Sequence, residues 1–134
     1  TTLTERPIES YCDLLLSLEI LDEKWAELLE ELKIKAGKIN YTDFDLHMSH
    51  RECEYEQFIV YLIYRHFANS PDLYEAQCRT RFTAFAYKVL YSLGALIYYT
   101  KGDFDFKAQV ELLRLFSSEI EYSDENLYTL FDTV

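Results

Sequence analysis

The sequence predicts an all-α fold: a single-domain helical bundle of five to seven helices occupying residues 1–134. Three observations carry that expectation. Glycine (3) and proline (2) are scarce among 134 residues, which disfavours a fold of many tight turns and favours long uninterrupted helices. Apolar residues recur at three- and four-residue spacing in one segment after another. The stretch Tyr55–Phe67, YEQFIVYLIYRHF, is apolar almost all the way round a helix, a pattern normal for a helix wrapped by its neighbours. The expected architecture is therefore built around a central apolar helix at about residues 50–68 and a long helix at about residues 71–99, antiparallel where the loops are short.

Each element has its own signals. Pro7 suits the first turn of a helix carrying Ile8, Tyr11, Leu14, Leu15 and Leu18. Asp22 reads as the N-cap of a second helix with Trp25, Leu28, Leu29 and Leu32 on one face and a Glu31–Lys35 pair on the other. Gly37 is placed to end it as a C′ glycine, and Thr42–Met48 has room for one short helical turn. Ser49-His50-Arg51-Glu52 has the capping-box pattern, which starts the apolar helix near His50 and lets it run to Ala68. Asn69-Ser70-Pro71-Asp72 is a break with Ser70 as cap and Pro71 as first helical residue.

In the long helix, Phe82, Phe85, Ala86, Val89, Leu93, Leu96 and Ile97 share one face at 100° per residue. Tyr87, Tyr91 and Tyr98 lie opposite, beside Ala84, Ala95 and Gly94, so both faces call for partners and Gly94 permits close backbone approach. The sequence leaves open whether this helix is straight or kinked around Cys78–Arg81. Lys88 interrupts the apolar run Phe82–Tyr99, which leaves it far short of the roughly 20 residues of a membrane span. Lys101-Gly102-Asp103 is a turn. Val110, Leu113, Phe116 and Ile120 mark a further amphipathic helix, and Ser123-Asp124-Glu125-Asn126 caps a last one through Leu127, Leu130 and Phe131.

Charge and cysteine narrow the function classes. The net charge is −11, and its acids concentrate at the two ends: residues 1–50 carry eleven acids against five bases, and residues 102–134 eight against two. Nucleic acid is disfavoured as a partner, because phosphate binding rewards cationic surfaces; a lysine-bearing protein is compatible. Cys12, Cys53 and Cys78 are widely spaced and in no CxxC arrangement, the pattern of reduced thiols in a cytosolic protein, two or three of them filling core.

The residue types that carry chemistry each have a plainer reading. His47, His50 and Cys53 lie three apart and contain zinc-ligand types. A capping box at Ser49 puts His47 outside the helix, so separate surface or core residues are the preferred reading and no metal site is expected. His66 falls on the stripe of Tyr55, Ile59 and Leu62, where a histidine bonded through one nitrogen is usual. Glu56 lies on the Val60–Ile63–Phe67 side, where burial would raise its pKa, although the N-terminal dipole opposes that. Arg65 must find an acid or solvent. Twelve tyrosines fit an interface with wet hydroxyls better than a cage for ammonium groups, though rings can grip such cations. With glycine only at positions 37, 94 and 102, no Rossmann-type or P-loop nucleotide site is encoded.

Three blocks, in order, carry a family resemblance: YCDLLLSLEILDEKWAELLEEL (Tyr11–Leu32), YEQFIVYLIYRHF (Tyr55–Phe67) and RLFSSEIEYSDENLYTLF (Arg114–Phe131). Together they resemble the C-terminal region of bacterial flagellin lysine-N-methylases, the cysteine-cluster proteins. The resemblance implies an enzyme that transfers a methyl group from S-adenosylmethionine to lysines of flagellin, and the cysteine pattern places it in the cytoplasm. It also implies an iron–sulfur site at clustered cysteines in an earlier part of the protein, which Cys12, Cys53 and Cys78 do not match. The opening Thr1-Thr2-Leu3 has neither an initiator Met nor a signal-like segment, so the chain is expected to be the C-terminal part of a longer protein, inactive alone and needing no cofactor of its own.

Its expected partners are the missing N-terminal region and flagellin. Candidate substrate or inter-domain contacts are Tyr61, Tyr64, Arg65, Tyr87, Tyr91 and Tyr98, with Glu119 and Glu121 as attractors of substrate lysines. The alternative is a non-enzymatic helical protein-interaction module.

Overall fold

The structure, a computed structural model, describes residues 6–67 and 73–133. Its helices are α1 (Ile8–Leu16), α2 (Glu23–Lys35), α3 (Tyr41–His47), α4 (Glu52–Phe67), α5 (Leu73–Lys101), α6 (Phe106–Phe116) and α7 (Asp124–Thr133), with a 3₁₀ turn at Ala36–Lys38 and a π-helical turn at Ser117–Glu121. Among the described residues there is no strand, as the scarcity of glycine and proline predicts. None of these helices is long and apolar enough to cross a membrane.

Several local signals act as expected because the atoms involved are neighbours in sequence. The Asp22 carboxylate accepts the Lys24 amide at 2.9 Å and caps α2, and Lys35 Nζ meets Glu31 at 3.0 Å. Ser123 Oγ accepts the Asn126 amide at 3.3 Å. Asn40 and Asp105, not singled out from the sequence, cap α3 and α6 in the same way, by accepting the amides of Asp43 and Ala108.

Other boundaries move, each for a local reason. Pro7 is the N-cap of α1, immediately before its first turn. Ser49 does not form a capping box: its hydroxyl donates to the Leu46 carbonyl at 2.9 Å, closing α3, and α4 begins only at Glu52. His50 therefore lies before the helix. Gly37 sits inside the 3₁₀ turn, and Gly102 is the left-handed C′ glycine, with φ 78° and its N–H donating to the Tyr98 carbonyl at 2.8 Å. In α6 the inward face is Gln109, Leu112 and Phe116, whereas Val110 is 43% exposed. The expected break with Ser70 and Pro71 lies outside the described residues, and α5 runs unbroken through Cys78–Arg81.

The largest correction concerns the centre of the bundle. α4 is not enclosed on every side: it buries Tyr55, Phe58, Leu62 and His66, while Val60, Ile63 and Tyr64 remain exposed. α5 is the central element instead. It touches every other α-helix, and the stretch 82–96 is buried on nearly all sides. Its two faces are covered as their composition demands. Phe82, Phe85, Val89 and Leu93 join the core formed with Trp25, Leu29, Phe116 and Ile120. The Tyr91 and Tyr98 side receives α3, whose Phe44 packs at 5.0 and 5.8 Å between ring centroids. Gly94 does permit close approach, but by the rings of Phe44 and Phe104 and not by a backbone; a Cβ there would meet Phe44 Cζ at 3.0 Å and Phe104 Cε2 at 3.1 Å.

Candidate functional site

The residues singled out in the sequence divide between two places. The first is a polar knot at the π-helical turn. Such a turn bonds i to i+5, here from the Tyr122 amide to the Ser117 carbonyl at 3.1 Å, and it sends three successive residues, Glu119, Ile120 and Glu121, into the interior. The Glu119 carboxylate accepts the Leu21 amide at 3.0 Å and the Asp22 amide at 2.6 Å, so it holds the entry to α2. Asn126 completes that clamp through the backbone of Glu19 and the carbonyl of Glu119.

Glu121 accepts from His66 Nε2 and Arg65 Nε, each at 3.1 Å, and from Ser117 Oγ at 2.8 Å. Burial pushes its pKa up, but the His66 and Ser117 hydrogen bonds with the neighbouring His66 and Arg65 charges more than reverse this, leaving it below the usual 4.5. Arg65 also lies over the Tyr122 ring at 5.0 Å, which answers how an arginine at the end of an apolar helix is satisfied. Both carboxylates are engaged inside the domain, at 1% and 2% exposure. Tyr61 flanks Glu121, and burial with that carboxylate raises its phenol. Tyr64 stands apart at 76% exposure.

The second place is a surface trough between α4 and α5. Tyr55, Tyr87 and Tyr91 are mutually in contact, with centroids 5.4 Å apart for Tyr55–Tyr87 and Tyr55–Tyr91 and 5.8 Å for the stacked Tyr87–Tyr91 pair. The Tyr91 hydroxyl donates to the Asp45 carboxylate of α3. On one side of this cluster opens an almost wholly apolar groove of about 770 Å³, with Ile8, Tyr41, Ile63 and Ala84 in its walls. On the other lies a pocket of about 380 Å³ lined by Asp45, Met48, Glu52, Tyr55 and Glu56. Ile59, Tyr87 and Tyr91 belong to both. Tyr98 is not part of the trough; it stacks on His47 at 4.5 Å beneath α3.

The phenols here are weaker acids than a free tyrosine and keep their protons at neutral pH. Burial, offset in part by Gln109, pushes Tyr55 up to about 12. Tyr87 is raised by burial and then by the Asp45 and Glu52 charges, and Tyr91 by burial and its Asp45 partner. The negative charges of the trough at neutral pH are therefore the carboxylates of Asp45, Glu52 and Glu56. Glu56 is exposed, so the burial considered for it from the sequence does not occur.

Metal ligation has no comparable geometry. His47 Nε2 is turned to the Phe104 carbonyl at 3.1 Å. Cys53 is exposed while Cys12 and Cys78 are buried. Among the described residues no three His, Cys, Asp or Glu side chains gather as a metal site. These cysteines thus do not fit the iron–sulfur cluster that the family resemblance implies.

The comparison with family models matches residues 4–134 to the FliB lysine N-methylase C-terminal domain. The chain belongs to that family. The match spans all three sequence blocks, and the fold just described is thus that of a FliB lysine N-methylase C-terminal domain. No curated protein and no solved structure matches the chain.

Asp45, Glu52, Tyr55 and Glu56 are not among the contact candidates that the sequence offers. A signal existed for part of the set: Glu52, Tyr55, Glu56, Ile59 and Ile63 recur at three and four residues and so line one edge of α4. Asp45 could not be added without knowing that α3 folds over the tyrosine side of α5.

Proposed function

We propose that this domain is the substrate-supporting C-terminal region of a longer, cytoplasmic, S-adenosylmethionine-dependent flagellin lysine methyltransferase, and that it is inactive alone. The family match over residues 4–134 carries this reading. Dependence on an upstream region is supported by how the glycines are used. The space beside Gly94 is filled by two aromatic rings, Gly102 ends α5 and Gly37 lies in the 3₁₀ turn that follows α2, so none contributes to a glycine-rich cradle for a nucleoside cofactor. Support for a substrate role comes from the trough, where aromatic rings and unneutralised carboxylates meet on an accessible surface.

The test is direct. Residues 1–134 and the longer protein are each incubated with flagellin and S-adenosylmethionine, and methyl incorporation is read by mass spectrometry. Methylation is expected only with the longer protein. Robust methylation by residues 1–134 would overturn the claimed dependence.

The exposed Val60, Ile63 and Tyr64 on α4 favour a second reading, a non-enzymatic interaction module that docks a partner through this face. Deleting residues 4–134 from the longer protein separates the two. A methylase region makes flagellin methylation depend on the segment, and an adaptor does not.

A further inference from the structure

Building on that reading, we propose that the pocket walled by Asp45, Glu52 and Glu56 and floored by Tyr55, Tyr87 and Tyr91 receives a lysine side chain of the protein substrate, while the adjoining apolar groove takes a neighbouring apolar residue of the same peptide.

Shape supplies the first argument. A lysine is an apolar stem with a cationic head, and it is best held where apolar surface leads to negative charge. The trough changes character in that way across Ile59, Tyr87 and Tyr91, from an apolar groove of about 770 Å³ to an acidic pocket of about 380 Å³.

Charge supplies the second. Glu52 and Glu56 are a like-charge i,i+4 pair, an arrangement that destabilises a helix. The helix dipole compensates Glu52, which lies in the first turn, more than Glu56, which lies one turn further in. Neither glutamate forms an ion pair among the described residues, and no lysine or arginine lines the acidic pocket. Asp45 accepts one hydrogen bond, from Tyr91. The cation nearest by sequence on α5, Lys88, is turned to the groove side, where it donates to the Arg6 carbonyl at 2.8 Å and lies over the Tyr11 ring. Among the described residues, three carboxylates thus line one concavity that no lysine or arginine lines. Arg51, whose charge reaches Tyr55, is engaged by Glu54 and the Phe104 carbonyl, and an incoming ammonium group would provide the countercharge.

The rings supply the third. Tyr87 is 39% exposed and remains protonated at neutral pH, so its face is available to a cation through its quadrupole. The same pocket would gain nothing from an acidic or a purely apolar side chain.

The test uses residues 1–134 and a capped, dye-labelled peptide with a single central lysine flanked by valine and alanine, titrated by fluorescence anisotropy at low salt. A matched peptide carries norleucine in place of lysine. The lysine peptide is expected to bind about tenfold more tightly, since two or three exposed charge pairs and a cation–π contact each contribute modestly. The double variant E52Q/E56Q changes only exposed, unpaired side chains; it should erase that difference, as should Y87L, which removes the ring. Equal binding of the two peptides, absence of binding, or an E52Q/E56Q variant as selective as the parent would each overturn the proposal. The family reading fails separately, through flagellin methylation that is indifferent to residues 4–134.

Discussion

Removing the Glu119 side chain gives the sharpest stability prediction, because this carboxylate fastens two distant parts of the chain. It accepts the backbone amides of Leu21 and Asp22 at the start of α2, nearly a hundred residues earlier in sequence. Hydrogen bonds to a charged acceptor are each worth about 1.5–3 kcal/mol. Leu21 is 67% exposed and Asp22 is also exposed, so water recovers part of that loss once the side chain is gone. The carboxylate also lies at the positive end of α2, which adds about 0.3–1 kcal/mol.

Together these place Glu119→Ala near ~3 kcal/mol less stable than the parent. Glu119→Gln keeps one acceptor oxygen but loses the charge, and should cost about 1 kcal/mol. For a domain of this length, roughly 4 °C accompanies each kcal/mol, so Glu119→Ala should melt about 12 °C lower and Glu119→Gln about 4 °C lower. Urea and thermal unfolding followed by circular dichroism measure both. An alanine variant within about 1 kcal/mol of the parent, or a glutamine variant as damaged as the alanine one, would refute the clamp.

Three further outcomes are expected. Gly94→Ala should gain about 1 kcal/mol of helix propensity but lose more by forcing a Cβ against the buried rings of Phe44 and Phe104; a net loss of about 1 kcal/mol is expected by urea titration. Leu93→Ala, at 0% exposure in α5, should cost about 3 kcal/mol, whereas Val60→Ser, at 50% exposure in α4, should stay within about 0.5 kcal/mol; reversal of that order would restore α4 as the centre. Glu121 has a depressed folded pKa, so its stabilisation is present above the usual 4.5 and is lost as pH falls through the lower folded value. Unfolding free energy measured across this acid range should fall with pH less steeply in Glu121→Gln than in the parent, and identical slopes would contradict the linkage.

What could be read from the sequence, and what could not, follows the range of the interactions. Asp22 and Lys24, Glu31 and Lys35, Ser123 and Asn126 are each within four residues, and their pairings follow from helix geometry alone. Ser49 shows the limit of such local reading: its hydroxyl had two eligible partners, the start of α4 and the end of α3, and the second took it.

The apolar segment Tyr55–Phe67 exposes a deeper limit. A helix greasy on all sides demands cover, but its periodicity cannot say which side receives it. Here the core takes Tyr55, Phe58, Leu62 and His66, and Val60, Ile63 and Tyr64 are left outside. The candidate tyrosines divided for the same reason. Tyr98 was claimed by α3 and His47, while Tyr87 and Tyr91 stayed on the trough. Glu119 and Glu121, offered by the sequence as attractors of substrate lysines, turn inward because a π-helical turn, invisible to a 3.6-residue period, rotates both into the core. The carboxylates that do face the surface trough come from α3 and α4, and only the fold brings Asp45 beside Glu52 and Glu56.

The central claim, that this FliB-type domain engages the lysine-bearing substrate of a larger methylase, is tested most directly by the steady-state kinetics of flagellin methylation with E52Q/E56Q introduced into the full-length enzyme. The account predicts a KM for flagellin raised about tenfold with kcat unchanged, the signature of lost uniform binding. An unchanged KM would contradict it.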